Sequence, residues 1–88
     1  MTSRGTERFW TLYTGLPSQI KAAARKAFAL FRENQSHPWL HMERLRSDSR
    51  AWSMRVSLNY RAIALRRGED WVWVWIGNHR DFDREFPA

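Results

Sequence analysis

The six residues from Trp71 to Ile76, WVWVWI, constrain the fold of this chain more than any other segment. Tryptophans alternate there with valines and an isoleucine, so a strand built from these residues has large apolar side chains on both of its faces. A strand of that kind lies inside a sheet and cannot lie at an exposed edge. We therefore predict a central strand over residues 71–76, with the three tryptophans on one face and the smaller apolar side chains on the other.

The apolar area of these tryptophans has two uses in known proteins. Exposed aromatic rings stack on the bases of single-stranded nucleic acids, whereas buried rings pack in a core or against a protein partner. Large aromatic side chains are buried far more often than they are displayed. We interpret Trp71, Trp73 and Trp75 as residues of the core or of a partner contact.

Two segments before the tryptophan strand have the patterns of further strands. Apolar and polar residues alternate over Trp52–Val56, and Tyr60–Arg66 returns as the next strand. Ser57–Asn59 is predicted to form a three-residue hairpin loop, because asparagine tolerates the left-handed conformation that closes such a turn. A weaker alternation over Leu40–Arg46 predicts one more strand, and residues 67–70 are predicted to turn the chain.

Apolar residues at helical spacing predict two helices before the strands and one after them. The first runs from Thr6, its N-cap, to about Tyr13, and the second covers Ser18–Glu33 after a tight corner at Gly15–Pro17. The second helix has an apolar stripe made of Ile20, Ala24, Ala27, Phe28 and Phe31. A short C-terminal helix is predicted over His79–Phe86. The predicted fold is α+β, with an N-terminal helical hairpin packed on one face of a mostly antiparallel sheet of three or four strands.

The length of 88 residues fits one domain, which we expect to span residues 1–88. The sequence has no cysteine, which excludes disulfides, thiolate nucleophiles and cysteine-based zinc or iron–sulfur sites. The first residues, MTSRGTERFW, contain no apolar run typical of a signal peptide, and no segment approaches the length needed to span a bilayer. We expect a cytoplasmic protein with no membrane partner.

The charge balance is strongly basic. Fifteen lysines and arginines stand against nine acidic residues, for a net charge of +6, and thirteen of the fifteen are arginine. A guanidinium group donates two parallel hydrogen bonds to phosphate oxygens, which the ammonium group of lysine does not do. The excess predicts a polyanionic partner, either nucleic acid or an acidic protein, although surface charge for solubility explains the same numbers equally well.

Two motifs have the residue types of metal sites but lack what such sites need. His37 and His41 have the spacing of metal ligands on a helix, but Pro38 between them breaks a helix and no third ligand is evident. The acidic residues within 81–85 form too short a run for a calcium loop and have no glycine at a bend, so we interpret them as acids at a helix start. We expect no metal and no small-molecule cofactor.

The order of the predicted elements and the segment WSMRVSLNYRAIALRRGEDWVWVWIGNHRDFD, residues 52–83, resemble the RelE/ParE toxin superfamily. The matching pieces are Arg55 and Arg61 on neighbouring strands, the tryptophan strand, and then His79 and Arg80. The order of these pieces carries the resemblance, which covers nearly the whole chain. It implies the toxin of a bacterial type II toxin–antitoxin system. Nuclease members of the superfamily cut mRNA on the ribosome without a metal, whereas ParE-type members poison DNA gyrase.

Three residues of the matching segment are candidate catalytic groups: Arg55, Arg61 and His79. With a three-residue loop, Arg55 faces Arg61 across the hairpin. Such a pair of like charges destabilises the sheet less when an anion lies between them. Both guanidinium groups would then stabilise the negative charge that develops on phosphorus when an RNA 2′-hydroxyl attacks it. A two-residue loop would put them on opposite faces.

Because histidine ordinarily titrates near neutral pH, His79 in the family's C-terminal active-site position is the candidate general acid or base, with a capping or core histidine as the alternative.

Five further residues are candidate RNA-binding groups: His41, Arg44, Arg46, Arg80 and Phe82. The first three lie on the weak strand before the hairpin and would add salt-dependent, sequence-independent binding, although solvated surface charge is an equally economical account. Phe82 departs from the family, because nuclease relatives often have a tyrosine shortly after the histidine. A phenylalanine can stack on a base but cannot carry a proton.

Two functions are therefore open for this chain. The first is an endoribonuclease toxin whose partners include mRNA and the ribosome. The alternative is a non-catalytic relative, either a gyrase poison or a degenerate module that only binds an antitoxin, and the missing tyrosine favours it. Both functions imply a cognate antitoxin partner, which we expect to be acidic, partly disordered alone, and bound as a helix or strand over the basic face.

Overall fold

The computed structural model describes residues 2–87, and within them it contains five strands and three α-helices. In chain order the elements are β1 (Thr2–Gly5), α1 (Glu7–Thr14), α2 (Ser18–Glu33), a 3-10 helix (Pro38–Leu40), β2 (Glu43–Arg44), β3 (Ala51–Ser57), β4 (Tyr60–Arg67), β5 (Asp70–Asn78) and α3 (His79–Glu85). The strands form one sheet in the order β1-β5-β4-β3-β2, with β1 parallel to β5 and the other neighbours antiparallel. The predicted α+β fold is confirmed, and β5 lies inside the sheet between β1 and β4, as its apolar faces predict.

The two edges of the sheet differ from the prediction. β1 was not predicted, because its four residues are mostly exposed and show no apolar alternation; it exists through its parallel pairing with β5. At the other edge, the strand predicted over Leu40–Arg46 is reduced to Glu43–Arg44. The preceding residues form the 3-10 helix instead, with Pro38 at its start and His41 ending it in the left-handed conformation at φ 45°.

The helices lie close to their predicted bounds. Thr6 caps α1, since its side-chain oxygen accepts a hydrogen bond from the backbone N–H of Phe9 at 3.2 Å. α2 spans Ser18–Glu33 as predicted, after the corner at Gly15–Pro17. Within residues 2–87 there is no helix with both the length and the apolarity to cross a bilayer.

A bulge in β5 divides its tryptophans between the two faces of the sheet. Ile63 of β4 pairs with Trp75, but the next residue of β4 pairs with Trp73, which leaves Val74 without a partner. The extra residue reverses the alternation of side chains beyond it. Trp71 and Trp73 therefore pack under the N-terminal helices and Trp75 packs on the opposite face. The prediction that all three tryptophans share one face is wrong, because alternation alone carries no signal for a bulge.

Edge-to-face aromatic contacts fill the helix-covered face. The ring of Phe31 lies 5.2 Å from the ring of Trp71 and 5.3 Å from that of Trp73, nearly perpendicular to both. Phe28 meets Trp73 at 4.7 Å in the same geometry. Each such pair contributes about 0.5–1.5 kcal/mol beyond the area that it buries. The core interpretation of these two tryptophans is confirmed, and so is the apolar stripe of α2, whose fully buried members are Ala24, Ala27 and Phe31.

α3 covers a smaller core on the other face of the sheet. The ring of Trp75 lies 5.5 Å from that of Phe86 and 6.1 Å from that of Phe82. Ile63 and Ala51 are buried in the same cluster. The predicted C-terminal helix is confirmed, and its two phenylalanines attach it to the sheet.

Replacing Gly77 tests the packing of Trp75. A Cβ added at Gly77 would come within 2.7 Å of the Trp75 indole ring. We expect Gly77→Ala to lower the free energy of unfolding by about 1–3 kcal/mol, because the ring or the strand must shift. Urea denaturation followed by tryptophan fluorescence measures this change.

Gly15→Ala is the matched control. Its added Cβ would meet nothing closer than 3.6 Å, and Gly15 has a φ of −80°, which any residue adopts. We expect a change within about 0.5 kcal/mol. Equal losses in the two variants would contradict the packing of Trp75 over Gly77.

Candidate functional site

The β3–β4 hairpin places Arg55 directly opposite Arg61. The turn itself is not the predicted one, because the loop is the two-residue Leu58–Asn59 and neither residue has the left-handed backbone that the prediction assigned to asparagine. A bulge at Val56, between Arg55 and Ser57, then shifts the register by one residue. A two-residue loop alone would put the two arginines on opposite faces. With the bulge they share one face. Arg55 therefore faces Arg61 as predicted, but the bulge causes the pairing and not a three-residue loop.

Arg55 is held against the 3-10 helix. Its Nε–H donates to the carbonyl oxygen of Trp39 at 2.8 Å, and its Cζ lies 4.6 Å from the centroid of the Trp39 ring. The two contacts fix the orientation of the guanidinium group and use one of its five N–H donors. The Trp39 ring is itself 42% exposed, so it gives the site an aromatic surface open to solvent.

Arg61 is held by a buried hydroxyl group. Its Nη1 donates to the Oγ of Ser53 at 2.7 Å. Ser53 lies two residues before Arg55 on β3, so its hydroxyl belongs to the same face as the arginine pair. Its exposure of 1% makes it the one fully buried polar residue within residues 2–87. A hydrogen bond at one end of the guanidinium group leaves the other end for an external acceptor.

Neither arginine of the pair has an acidic partner in the part of the chain that the structure describes. The ion pairs there are Arg8–Glu85, Arg50–Asp48 and Arg84–Asp81. In the second of them, the hydrogen bond from the Arg50 side chain lowers the pKa of the Asp48 carboxyl below its usual value. The positive charge of Arg55 and Arg61 is uncompensated, and two like charges opposite each other favour an anion between them.

His79 is the first residue of α3 and lies beside the hairpin turn. Its backbone N–H donates to the carbonyl oxygen of Asn59 at 2.8 Å. The side chain of Asn78 caps the helix, which fixes where α3 begins. On the neighbouring strand, Arg61 pairs with Gly77, two residues before the histidine. The three candidate catalytic residues are therefore gathered at one end of the sheet.

The two other candidates on α3 differ in exposure. Arg80 is exposed in the first turn, next to His79. Phe82 is half-buried, with its ring 6.4 Å from the His79 ring and 5.5 Å from that of Phe86. It packs between the histidine and the small core instead of standing free in solvent.

The remaining RNA-binding candidates lie apart from the arginine pair. The guanidinium group of Arg44 lies 5.4 Å from the ring of Trp52, which packs into the helix-covered core on the face opposite Arg55. His41 lines a separate cavity, and Arg46 is exposed in the bend after β2.

The site offers cationic groups and an imidazole, without a cluster of metal ligands. Nowhere in residues 2–87 do three histidine, cysteine, aspartate or glutamate side chains group closely enough to hold a metal ion. Of the histidine pair with ligand spacing, His37 is already engaged, since its Nδ1 accepts a hydrogen bond from the backbone N–H of Trp39 at 3.1 Å. The arrangement can bind an oxyanion and exchange a proton with it.

A comparison with protein families matches residues 18–84 to the ParE-like toxin domain, which is more than half of the chain. The chain belongs to this family. Its residues 18–84 form a ParE-like toxin domain. No curated protein matches the sequence.

Solved structures share the fold of this ParE-like chain. A chain of the RelB-RelE antitoxin–toxin complex from Methanococcus jannaschii superposes with a TM-score of 0.77 at 13% identity, covering 94% of this chain and 98% of that one. The YoeB/ParE toxin from Agrobacterium tumefaciens gives 0.69 at 15%, with 90% and 99% covered. YafQ from E. coli strain BL21(DE3) gives 0.68 at 11%, with 91% and 94% covered. At these identities the likeness establishes the fold alone.

Three residues that shape the site of the ParE-like chain were missed from its sequence. Ser53 falls in the polar half of the alternation in β3, which predicts a solvent-facing side chain, yet Arg61 and the sheet bury it. Trp39 shows no periodic signal in the sequence, and the structure places it in the 3-10 helix. Gly77 carried one usable signal, because a glycine within a strand marks a close approach of another group, here the Trp75 ring.

Ser53→Ala tests the support that the ParE-like chain gives to Arg61. Removing the hydroxyl takes away the acceptor of Nη1, so we expect the free energy of unfolding to fall by about 1 kcal/mol and the Arg61 side chain to become more mobile. Nitrogen-15 relaxation at Arg61 Nε measures the mobility. Ser57→Ala, on the same strand, is the control and should leave Arg61 unchanged. Unaltered relaxation in Ser53→Ala would contradict the role of the serine.

Proposed function

We propose that this toxin is a metal-independent endoribonuclease that cuts mRNA on the ribosome, in the cytoplasm. The observation that carries the proposal is the cross-strand pair of Arg55 and Arg61, which share one face and have no acidic partner within the described residues. Each guanidinium group is oriented by one internal hydrogen bond. Its other N–H groups take no part in that bond. Two oriented guanidinium groups on one surface can donate hydrogen bonds to several oxygens of one phosphodiester.

The reaction that this geometry suits is attack of an RNA 2′-hydroxyl on the adjacent phosphorus. A bond forms between the 2′-oxygen and phosphorus, and the bond from phosphorus to the 5′-oxygen breaks. The products are a 2′,3′-cyclic phosphate and a free 5′-hydroxyl, with one proton removed from the 2′-oxygen and one delivered to the 5′-oxygen. Negative charge grows on the non-bridging oxygens in the transition state, and a fixed donor aimed at such charge contributes about 10²–10³ in rate.

His79 supplies the imidazole group of this site, and imidazole is the side chain that most often acts as a general acid or base. It starts α3 at the end of β5, beside the strand that carries Arg61. The cap from Asn78 and the bond to the Asn59 carbonyl hold its backbone, which supports a defined position of the ring. In this proposal His79 takes the proton of the 2′-hydroxyl or gives one to the 5′-oxygen.

A non-catalytic function is the second candidate, and Phe82 is the observation that favours it. Family nucleases often have a tyrosine near this position, and the phenylalanine here has no hydroxyl to donate or accept. Its ring is engaged with Trp75 and Phe86 in the small core. A toxin of this kind would act by binding, as a gyrase poison or as a partner of its antitoxin alone.

An acidic antitoxin is the protein partner in either case. The chain carries a net charge of +6, and its paired arginines have no internal counter-charge within residues 2–87. A solved structure of the same fold comes from a complex named as antitoxin–toxin. A partner that binds only the folded toxin stabilises it by mass action, in proportion to the logarithm of its concentration.

Induced expression in a bacterium with primer-extension mapping of mRNA tests the nuclease. We expect growth arrest and discrete cuts with the intact chain, and a loss of cuts by about 10²–10³ for Arg55→Ala, Arg61→Ala or His79→Ala. Arg67→Ala is the matched control, because it removes the same charge from the exposed far end of β4. All variants are first checked for folding by circular dichroism.

Each other outcome has a separate meaning. Growth arrest without cuts supports the gyrase poison and overturns the nuclease. Cuts that persist in Arg61→Ala overturn the arginine clamp. The absence of any phenotype leaves antitoxin binding as the function.

Arg80 tests the electrostatic part of RNA binding. Because Arg80 is exposed beside His79, we expect Arg80→Ala to weaken binding of a short single-stranded RNA with a blocked 2′-hydroxyl. The slope of log K against log salt should fall in magnitude by about 0.7 for one lost phosphate contact. Fluorescence anisotropy over a salt series measures it. An unchanged slope would remove Arg80 from the RNA path.

A further inference from the structure

Trp39 differs from the other tryptophans of the chain in how its ring is packed. Five of the six tryptophans lie beside the ring of another aromatic side chain, and Trp39 is the exception within residues 2–87. It is 42% exposed, although large aromatic side chains are usually buried. Packing in the core therefore does not explain why the 3-10 helix carries a tryptophan at this position.

One face of the Trp39 ring is covered and the other is open. The guanidinium group of Arg55 lies over the ring, with its Cζ 4.6 Å from the ring centroid. The backbone of Trp39 is engaged, because its N–H donates to His37 Nδ1 and its carbonyl oxygen accepts from Arg55 Nε. The exposed surface of the residue therefore belongs mainly to the ring. A ring covered on both faces would be nearly inaccessible, so an exposure of 42% indicates that the second face meets solvent.

The other exposed large apolar side chains within residues 2–87 are Trp10 and Leu58. The ring of Trp10 lies on α1 and contacts the rings of Phe9 and Tyr13 at 5.0 and 5.5 Å. Leu58 lies in the hairpin turn, and its aliphatic side chain has no π-face. Of these three side chains, Trp39 alone combines an exposed aromatic ring with a contact to the arginine pair.

The contact with Arg55 places the Trp39 ring within reach of a bound nucleotide. A phosphodiester that accepts hydrogen bonds from Arg55 lies beside a guanidinium group that itself rests on the ring. The ribose joins each phosphate to a base, so the base of the held nucleotide or of its neighbour can reach the indole. Bases of single-stranded nucleic acids stack on exposed aromatic side chains, commonly beside cationic groups that hold the backbone. Trp39 and the arginine pair have this combination.

We propose that the open face of Trp39 stacks on a base of single-stranded RNA, next to the phosphate that Arg55 and Arg61 hold. The inference rests on the proposed function, since it needs RNA at the arginine pair. A base within a duplex has both faces covered by its neighbours, so the substrate must present an unstacked base at this point. Every base has a π-face, so the contact tolerates any sequence. Trp39 therefore selects single-stranded RNA without selecting its sequence.

A binding cycle between Trp39 and single bases of the RNA tests the proposal. Fluorescence anisotropy measures the dissociation constants of a short RNA with methylated 2′-hydroxyls and of a set of RNAs that each lack one base. We expect Trp39→Leu to weaken binding of the intact RNA by about 5- to 100-fold and to have no effect on the RNA that lacks the stacked base. Trp39→Phe should restore most of the affinity. Trp10→Leu removes the other exposed tryptophan and is the control, which should bind every RNA as the unchanged chain does.

The RNAs that lack a base separate stacking from support of Arg55. The Nε of Arg55 bonds the backbone carbonyl of Trp39, so a change of the Trp39 side chain keeps that bond. An equal loss of affinity for every RNA would mean that the ring only holds Arg55, and would overturn the stacking.

Other outcomes distinguish this inference from the proposed function. Binding that falls in Arg61→Ala but not in Trp39→Leu overturns the stacking and leaves the nuclease proposal intact. A Trp39 effect confined to one base, in a chain that produces no cuts in mRNA, supports the stacking and overturns the nuclease. An RNA that does not bind at all overturns both.

Discussion

Burial of the β5 tryptophans on two different faces is the constraint on which the rest of this structure depends. The bulge at Val74 sends Trp71 and Trp73 under α2 and sends Trp75 to the other side. Burial of the Trp75 ring removes a large apolar area from water, and the packing of α3 over it supplies that burial. α3 begins directly after β5, and the pairing of β5 with β4 places His79 beside the hairpin. The central tryptophan strand therefore contributes to the core and also positions the candidate site.

A second bulge, at Val56, determines the chemistry that the hairpin can offer. It cancels the change of face that a two-residue loop imposes and sets Arg55 opposite Arg61. The pair is unfavourable for the sheet, since two like charges face each other. The chain offsets part of that cost with local partners, the Trp39 carbonyl and ring for one arginine and the Ser53 hydroxyl for the other. These contacts orient the charges without neutralising them, which is the condition for binding an external anion.

The elements with strong periodic or capping signals were predictable from the sequence. The bounds of α2, the N-cap at Thr6, the interior position of β5 and the C-terminal helix all follow from local patterns. β1 was not predictable, because four polar residues become a strand only through the edge that β5 provides. Neither bulge was predictable either, since an inserted residue leaves the apolar content of a strand unchanged. For the site, the residue types were visible in the sequence, while the support from Ser53 and Trp39 depends on contacts between distant segments.

The pairing of β1 with β5 has a consequence for how the chain matures during synthesis. Thr2 pairs with Asp70, and the Ser3 hydroxyl accepts a hydrogen bond from the indole N–H of Trp73 at 2.9 Å. The first strand therefore has no partner until β5 has been made, and contacts of such long sequence separation form slowly. An emerging chain can form its helical hairpin early, but its sheet closes only after β5 leaves the ribosome. The candidate site, which needs α3 as well, comes together last.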